Sequence, residues 1–187
     1  MRPYRCPLAG DRTLSSCIRN SWGSPPHCRQ RCIQCSLTRT GGFIDNSLMH
    51  QSSKTLEVRT RGRALVEITH QVRRWAGEAG VDTGLLTLFI RHTSASLLIQ
   101  ENADPEVQRD LERFFARLVP DGDRLFEHTT EGADDMPAHV RAALTQTHLS
   151  IPIIAGALAL GTWQGIYLYE HRTHAHTREI VLHLVGE

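Results

Sequence analysis

Histidines, carboxylates and arginines are concentrated in three segments of this chain. The first is Arg91-His92-Thr93-Ser94, directly behind the apolar residues 85–90. The second runs from Glu127 to His139 and holds His128, Glu131, Asp134, Asp135 and His139. The third, Glu170-His171-Arg172, ends the apolar and aromatic stretch 160–169. An imidazole carries protons near neutral pH and binds metals, and a guanidinium pairs with phosphate. Apolar strands that finish in such residues must either leave the protein or place them in a polar pocket at the rim of a sheet. The expectation is convergence, with His92, His139, Glu170 and His171 lining one cavity.

Each segment alone has a plainer explanation. His92 fits a strand-end histidine bonded to backbone. The acids around His128 fit a solvated loop, and His174 and His176 fit an exposed hairpin end. The chain has no phosphate loop, paired CxxC, HExxH or nucleophile elbow. Residue types and spacing therefore reach a His/Glu/Asp pocket and stop short of a reaction.

The elements that must position these residues are legible from residue 49 onward. Alternation predicts strands over residues 55–60 and 64–68 around the turn Arg61-Gly62-Arg63. Thr69 is expected to cap a short helix through Val72 and Trp75. Strands follow over 85–90 and 94–100. A helix over 105–118 has Asp104 as N-cap, Pro105 in its first turn, and an apolar stripe of Val107, Leu111, Phe114, Phe115 and Leu118. A further helix is predicted over 136–147, capped by Asp135, with an inner stripe of Met136, Val140, Ala143, Leu144 and Thr147. Strands over 151–155, 157–160, 162–169 and 178–185 complete the pattern. About eight strands and two or three helices without strict βαβ alternation give an α+β class, a β-sandwich-like single domain of mixed or antiparallel sheets.

The chain has 187 residues and a formal charge of +1, which argues against nucleic acid as the main partner, and it has no apolar run long enough to span a bilayer. The charge is uneven: residues 1–48 carry seven Arg and no Lys against Asp11 and Asp45. All five cysteines (Cys6, Cys17, Cys28, Cys32, Cys35) lie in this head, and residues 49–187 have none, as suits a reducing cytoplasm. The head shows no sustained periodicity. A transit peptide and a cluster-binding Cys28-x3-Cys32-x2-Cys35 motif are the competing readings of it. The favoured expectation is a disordered or non-native extension over 1–48, with Met49 as a possible start and the folded domain at 49–187.

Taken together, the segments resemble the YjbQ-like family, also named secondary thiamine-phosphate synthase. The likeness is carried by His92-Thr93-Ser94-Ala95, Glu101-Asn102-Ala103-Asp104, Glu131-Gly132, Asp134-Asp135-Met136-Pro137-Ala138-His139, Gly161-Thr162-Trp163-Gln164-Gly165 and Glu170-His171-Arg172. It spans residues 49–187. The resemblance implies a compact α+β fold assembled as a homotrimer and a pocket containing His92, His139, Glu170 and His171. It also implies a divalent ion, zinc or magnesium, for which His92, His128 and His139 are the candidate ligands. The implied reaction joins a hydroxymethylpyrimidine diphosphate to a thiazole phosphate with release of pyrophosphate, an activity regarded in the family as secondary. Thr93, Ser94, Asp134, Gln164 and Arg172 are the candidate contacts to such a small phosphorylated substrate. The competing expectations are a metal-dependent hydrolase and a non-catalytic trimeric binding protein. A cytoplasmic location, with no membrane or nucleic-acid partner, completes the reading.

Overall fold

The computed structural model describes residues 49–187. The expectations for residues 1–48 lie outside this range. Eight strands and three helices follow in order: β1 (His50–Arg59), β2 (Ala64–Glu67), α1 (Thr69–Glu78), β3 (Gly84–Ile90), β4 (Ala95–Glu101), α2 (Pro105–Leu118), α3 (Asp135–Leu144), β5 (His148–Ile154), β6 (Ala157–Leu158), β7 (Gln164–Glu170) and β8 (Thr177–Gly186). One sheet has the order β1-β8-β3-β5-β6 and the other β2-β7-β4, and every pairing is antiparallel. This is the expected α+β architecture, with two sheets and three helices in one domain. No described helix is long and apolar enough to cross a membrane.

Alternation along the strands builds the core. Leu86, Leu88 and Ile90 of β3, with Ile180, Leu182 and Leu184 of β8, point inward and meet Leu97, Ile166 and Leu168 of the smaller sheet. Fully burying one such side chain contributes roughly 1.5–3 kcal/mol. Helix α1 joins this core through Val72, Trp75 and Ala76. The outer face of the smaller sheet receives α2, whose Leu111 and Phe115 pack against Tyr167 and Tyr169.

Local signals fared unequally. Asp104 caps α2 as expected, its Oδ1 accepting from the Glu106 N–H at 2.7 Å. Thr69 does not cap α1. Its hydroxyl donates to Glu67 at 2.8 Å and accepts from the Ile166 N–H at 2.8 Å, so tertiary bonds claim it. Phe114 and Leu118, assigned to the α2 stripe, are 49% and 53% exposed. Helix α3 departs furthest from expectation. Its buried residues are Asp135, Pro137, Ala138, Arg141 and Ala142, while Leu144 is exposed. Polar side chains, rather than an apolar stripe, fix its orientation. Strands β1 and β5 also start earlier than alternation suggested, and β6 is only two residues long.

The connections decide where chemistry can sit. Of the six connections that pass from one sheet to the other, three are residues 60–63 (β1 to β2), 91–94 (β3 to β4) and 171–176 (β7 to β8). The registers Arg59↔Thr177, Ile90↔Ile180, Ala64↔Glu170 and Ala95↔Glu170 put all three at the same end of the sandwich. Two of the three polar segments singled out above are thus crossovers at one rim. Gly62, at φ +130°, lets the first crossover lie against the third, because a Cβ there would sit 2.6 Å from the Thr173 carbonyl oxygen.

Candidate active site

At this rim lies an open cavity of about 660 Å³. The 91–94 crossover supplies Arg91, His92, Thr93 and Ser94. The α2–α3 connection and the start of α3 add Glu131, Asp135 and His139, and the 171–176 crossover with β8 adds Arg172, His176 and Arg178. All three polar segments of the sequence therefore contribute to one cavity.

On its α3 side, His128, Asp135 and His139 each offer a ligand atom, and these atoms lie within 4.8 Å of one another. Asp135 Oδ2 is 2.8 Å from His128 Nε2 and 3.5 Å from His139 Nε2. Asp135 and His139 are four residues apart on one helix, so they share a face. The ring of His139 is oriented from behind, with Nδ1 3.1 Å from the Thr93 carbonyl oxygen. A carbonyl only accepts, so Nδ1 carries a proton, and Nε2 is the nitrogen turned toward Asp135 and able to ligate. Asp135 Oδ1 is held in turn by Arg172 Nη1. Two imidazoles, one carboxylate and a supporting bond behind each of two ligands fit a divalent ion of the zinc type better than magnesium, which favours oxygen donors.

Behind the cavity the charges are tightly paired. Glu170 is fully buried and accepts from Arg178 Nη2 at 2.6 Å, Arg178 Nε at 2.8 Å, the Thr60 hydroxyl at 2.9 Å and the Arg172 N–H at 3.0 Å. Burial alone would raise its pKa, but these bonds, led by Arg178, bring it below the ordinary glutamate value. Asp134 behaves alike. Burial pushes it up, and the Thr173 N–H and hydroxyl together with Arg172 pull it down to about 2. Arg91 pairs with Glu179 at 3.1 Å on the surface. Three guanidiniums (Arg91, Arg172, Arg178) thus face five carboxylates (Glu131, Asp134, Asp135, Glu170, Glu179). Carboxylates outnumber guanidiniums at the rim, which favours a bound cation.

Among the candidate site residues, His92, His139, Thr93, Ser94 and Arg172 line the cavity. Glu170, His171, Gln164 and Asp134 sit differently from the expectation. Glu170 lies one layer behind, acting through Arg178. His171 points away from the cavity. Directly after β7, it continues the row of Tyr167 and Tyr169 on the α2 face, with its ring 4.3 Å from that of Tyr169 and Nε2 2.9 Å from Ser96 Oγ. Burial, then Arg141, depresses its pKa to about 3, so it stays neutral. Gln164 begins β7 while Glu170 ends it, roughly 20 Å apart at strand rise. Its side chain accepts from the Gly161 N–H at 2.8 Å and shapes that turn.

The metal grouping also differs from expectation by one member, Asp135 in place of His92. His92 Nε2 accepts from the Glu179 N–H at 2.8 Å, which leaves the neutral ring's proton on Nδ1, 3.4 Å from Arg178 Nη1. Burial, then Arg178, lowers its pKa. Asp134 supports Arg172 and Thr173 rather than facing the cavity. Arg178 was not among the candidates, and His176, assigned to an exposed hairpin end, lines the cavity instead. The signal for Arg178 was present: a glutamate ending a buried strand requires a counter-cation nearby in the fold.

Comparison with known proteins bears on the family and the fold. The family model described as UPF0047 protein YjbQ-like matches residues 54–187. A UPF0047 protein of Synechocystis is 53% identical over 137 residues, covering 73% of this chain and 93% of the relative. The UPF0047 protein YjbQ of Escherichia coli O157:H7 is 46% identical over 142 residues, 75% of this chain and all of the relative. Among solved structures, a conserved hypothetical protein from Thermus thermophilus aligns with TM-score 0.62 at 36% identity, over 69% of this chain and 97% of that one. A YbjQ-like protein of unknown function from Sulfolobus solfataricus aligns with TM-score 0.65 at 23% identity, over 74% of this chain and 100% of that one, and speaks for the fold alone. With its matching family model, high identity and shared fold, this chain belongs to the YjbQ-like UPF0047 family.

Proposed function

We propose that the rim cavity is a metal-dependent active site for a small phosphorylated substrate, with chemistry of the thiamine-phosphate synthase type. The observation that carries this reading is the His128–Asp135–His139 grouping, with His139 oriented by Thr93, in a cavity where carboxylates outnumber arginines. A divalent ion bound there supplies Lewis acidity toward the oxygens of a departing pyrophosphate. The chain's own residues do the rest. Thr93 offers an exposed hydroxyl. Arg91, in a surface pair with Glu179 (side chains 58% and 43% exposed), exchanges its partner easily for a phosphate. Arg178 and Arg172 stay committed to Glu170 and Asp134–Asp135 and hold the walls. In the reaction, the bond from the pyrimidine methylene carbon to the diphosphate oxygen breaks. A bond from that carbon to the thiazole nitrogen forms, and the electron pair leaves with pyrophosphate.

The test is pyrophosphate release from a hydroxymethylpyrimidine diphosphate, with and without a thiazole phosphate, before and after chelation. Release that needs both substrates and the metal, and is lost in His139→Ala, supports the proposal. Release from one substrate alone indicates the second reading, a metal-dependent hydrolase, which a three-ligand set with an open position also suits. Tight binding without turnover leaves a binding protein.

The proposal includes assembly as a homotrimer. Its support is the outer face of the larger sheet. There Gln51, Ser53 and Thr55 of β1 align with Val185, His183 and Val181 of β8, Leu85, Thr87 and Phe89 of β3, and Pro152, Ser150 and His148 of β5. No Asp, Glu, Lys or Arg interrupts these rows, and Leu85 and Phe89 are 40% and 50% exposed. Surfaces depleted of charge with exposed apolar side chains are the usual composition of subunit contacts.

A further inference from the structure

The metal grouping poses a problem of placement. Asp135 and His139 are fixed relative to each other by the α3 helix, whereas His128 comes from residues 119–134, which contain no helix or strand. This connection is pinched at a neck, where the Gly122 N–H donates to the Ala133 carbonyl at 2.9 Å. Its second leg is anchored by Asp134, which holds Arg172 at 3.2 Å and the Thr173 N–H at 2.8 Å. Its first leg is anchored by Arg141, whose Nη2 donates to the Val119 carbonyl and, at 3.2 Å, to Asp121 Oδ1. Arg63 grips Asp121 from the other side, at 2.9 Å to both oxygens.

We infer that Arg141 is a positioning residue that sets His128 relative to Asp135 and His139; this rests on the metal reading above. Arg141 lies two residues past His139 on the same helix, so it ties the frame of two ligands directly to the leg leading to the third. Its environment argues that filling space is not its role. The side chain is completely buried, and Nε and Nη1 have no hydrogen-bond partner among the described residues. An apolar side chain of similar volume would occupy the same space without stranding two donors. It could not hold Val119 and Asp121 together.

The experiment is titration of the full chain with Co²⁺, read by its visible absorption bands and by competition with Zn²⁺, alongside thermal melting. Arg141→Met is expected to weaken metal binding roughly tenfold or more, the range found for residues that orient ligands from behind, and to alter the cobalt bands. The effect should vanish without the third ligand, so His128→Ala and His128→Ala/Arg141→Met should bind alike. Asp121→Ala, a change at a partly exposed residue, tests the same clamp should Arg141→Met fail to fold, and it should weaken binding in the same direction. If folded Arg141→Met binds Co²⁺ as the parent does, or loses as much affinity in the His128→Ala background, the inference is overturned while the metal reading stands. If the parent binds no Co²⁺, the metal reading fails first and this inference with it.

Discussion

Glu170 on β7 and Arg178 on β8 meet across the seam between the two sheets, Oε1 to Nη2 at 2.6 Å and Oε2 to Nε at 2.8 Å, both side chains buried. The pair bonds the smaller sheet to the larger one directly beneath the cavity. Its closing bonds come from Thr60 and the Arg172 N–H, and Arg178 also reaches Ser94 Oγ, so the three crossovers at this rim all take part.

Removing one partner should cost far more than the pair itself contributes, because the other charge stays buried. Glu170→Ala is expected to lower unfolding free energy by about 3–5 kcal/mol, and Glu170→Gln by less. Denaturant unfolding with an unchanged slope checks this. A loss below about 1 kcal/mol would mean that water reaches Arg178.

Acid should destabilise the domain through His171. Its folded pKa of about 3 lies below the ordinary 6.5, so between these values the unfolded chain binds the extra proton. No penalty exists above pH 6.5. Stability then falls as pH drops toward 3, at a limiting slope of about 1.4 kcal/mol per pH unit. His171→Gln should flatten the profile in that window. An identical profile for variant and parent would show that other groups govern it.

Metal should raise the melting temperature of the parent by more than that of His128→Ala. At a hundredfold excess over Kd the stabilisation is about 2.7 kcal/mol. The side chain of His128 is 47% exposed, so its truncation should leave the unliganded melt nearly unchanged. Differential scanning fluorimetry with Zn²⁺, Mn²⁺ and Mg²⁺ checks both points, and the His/His/Asp set predicts the smallest shift for Mg²⁺.

Charge placed on the uncharged sheet face should break assembly without unfolding the subunit. Leu85→Lys and Val181→Glu both point outward from the sheet, away from the core. Light scattering is expected to show three chains for the parent and one for either variant. A parent of single-chain mass would remove the trimer from the proposal.

The sequence made the cavity legible to the extent that its residues end elements. His92, His139 and Arg172 were found because each follows or starts a regular segment, and the crossovers bring such ends together. His171 was misplaced because strand alternation sends adjacent residues to opposite faces: Glu170 faces the seam, and His171 must face α2. Asp135 was read as a helix cap, a role that competes with ligation and that its pairing with Arg172 decides. The stripe of α3 failed because Arg141 is a buried cation, which hydrophobic periodicity cannot anticipate. Pairing between sheets was never encoded locally. No periodicity of β7 alone reveals that Arg178 of β8 crosses over to meet it.

The crossovers carry one more consequence. Because the cavity wall is assembled from both sheets, it behaves as a clasp across the sandwich rather than as a pocket dug into one layer. A ligand held there touches both sheets at once, so parting the sheets would break its contacts. Its binding energy should therefore appear in the slowest-exchanging amides of β3, β7 and β8 together, so that the domain opens, or stays shut, as a single cooperative unit.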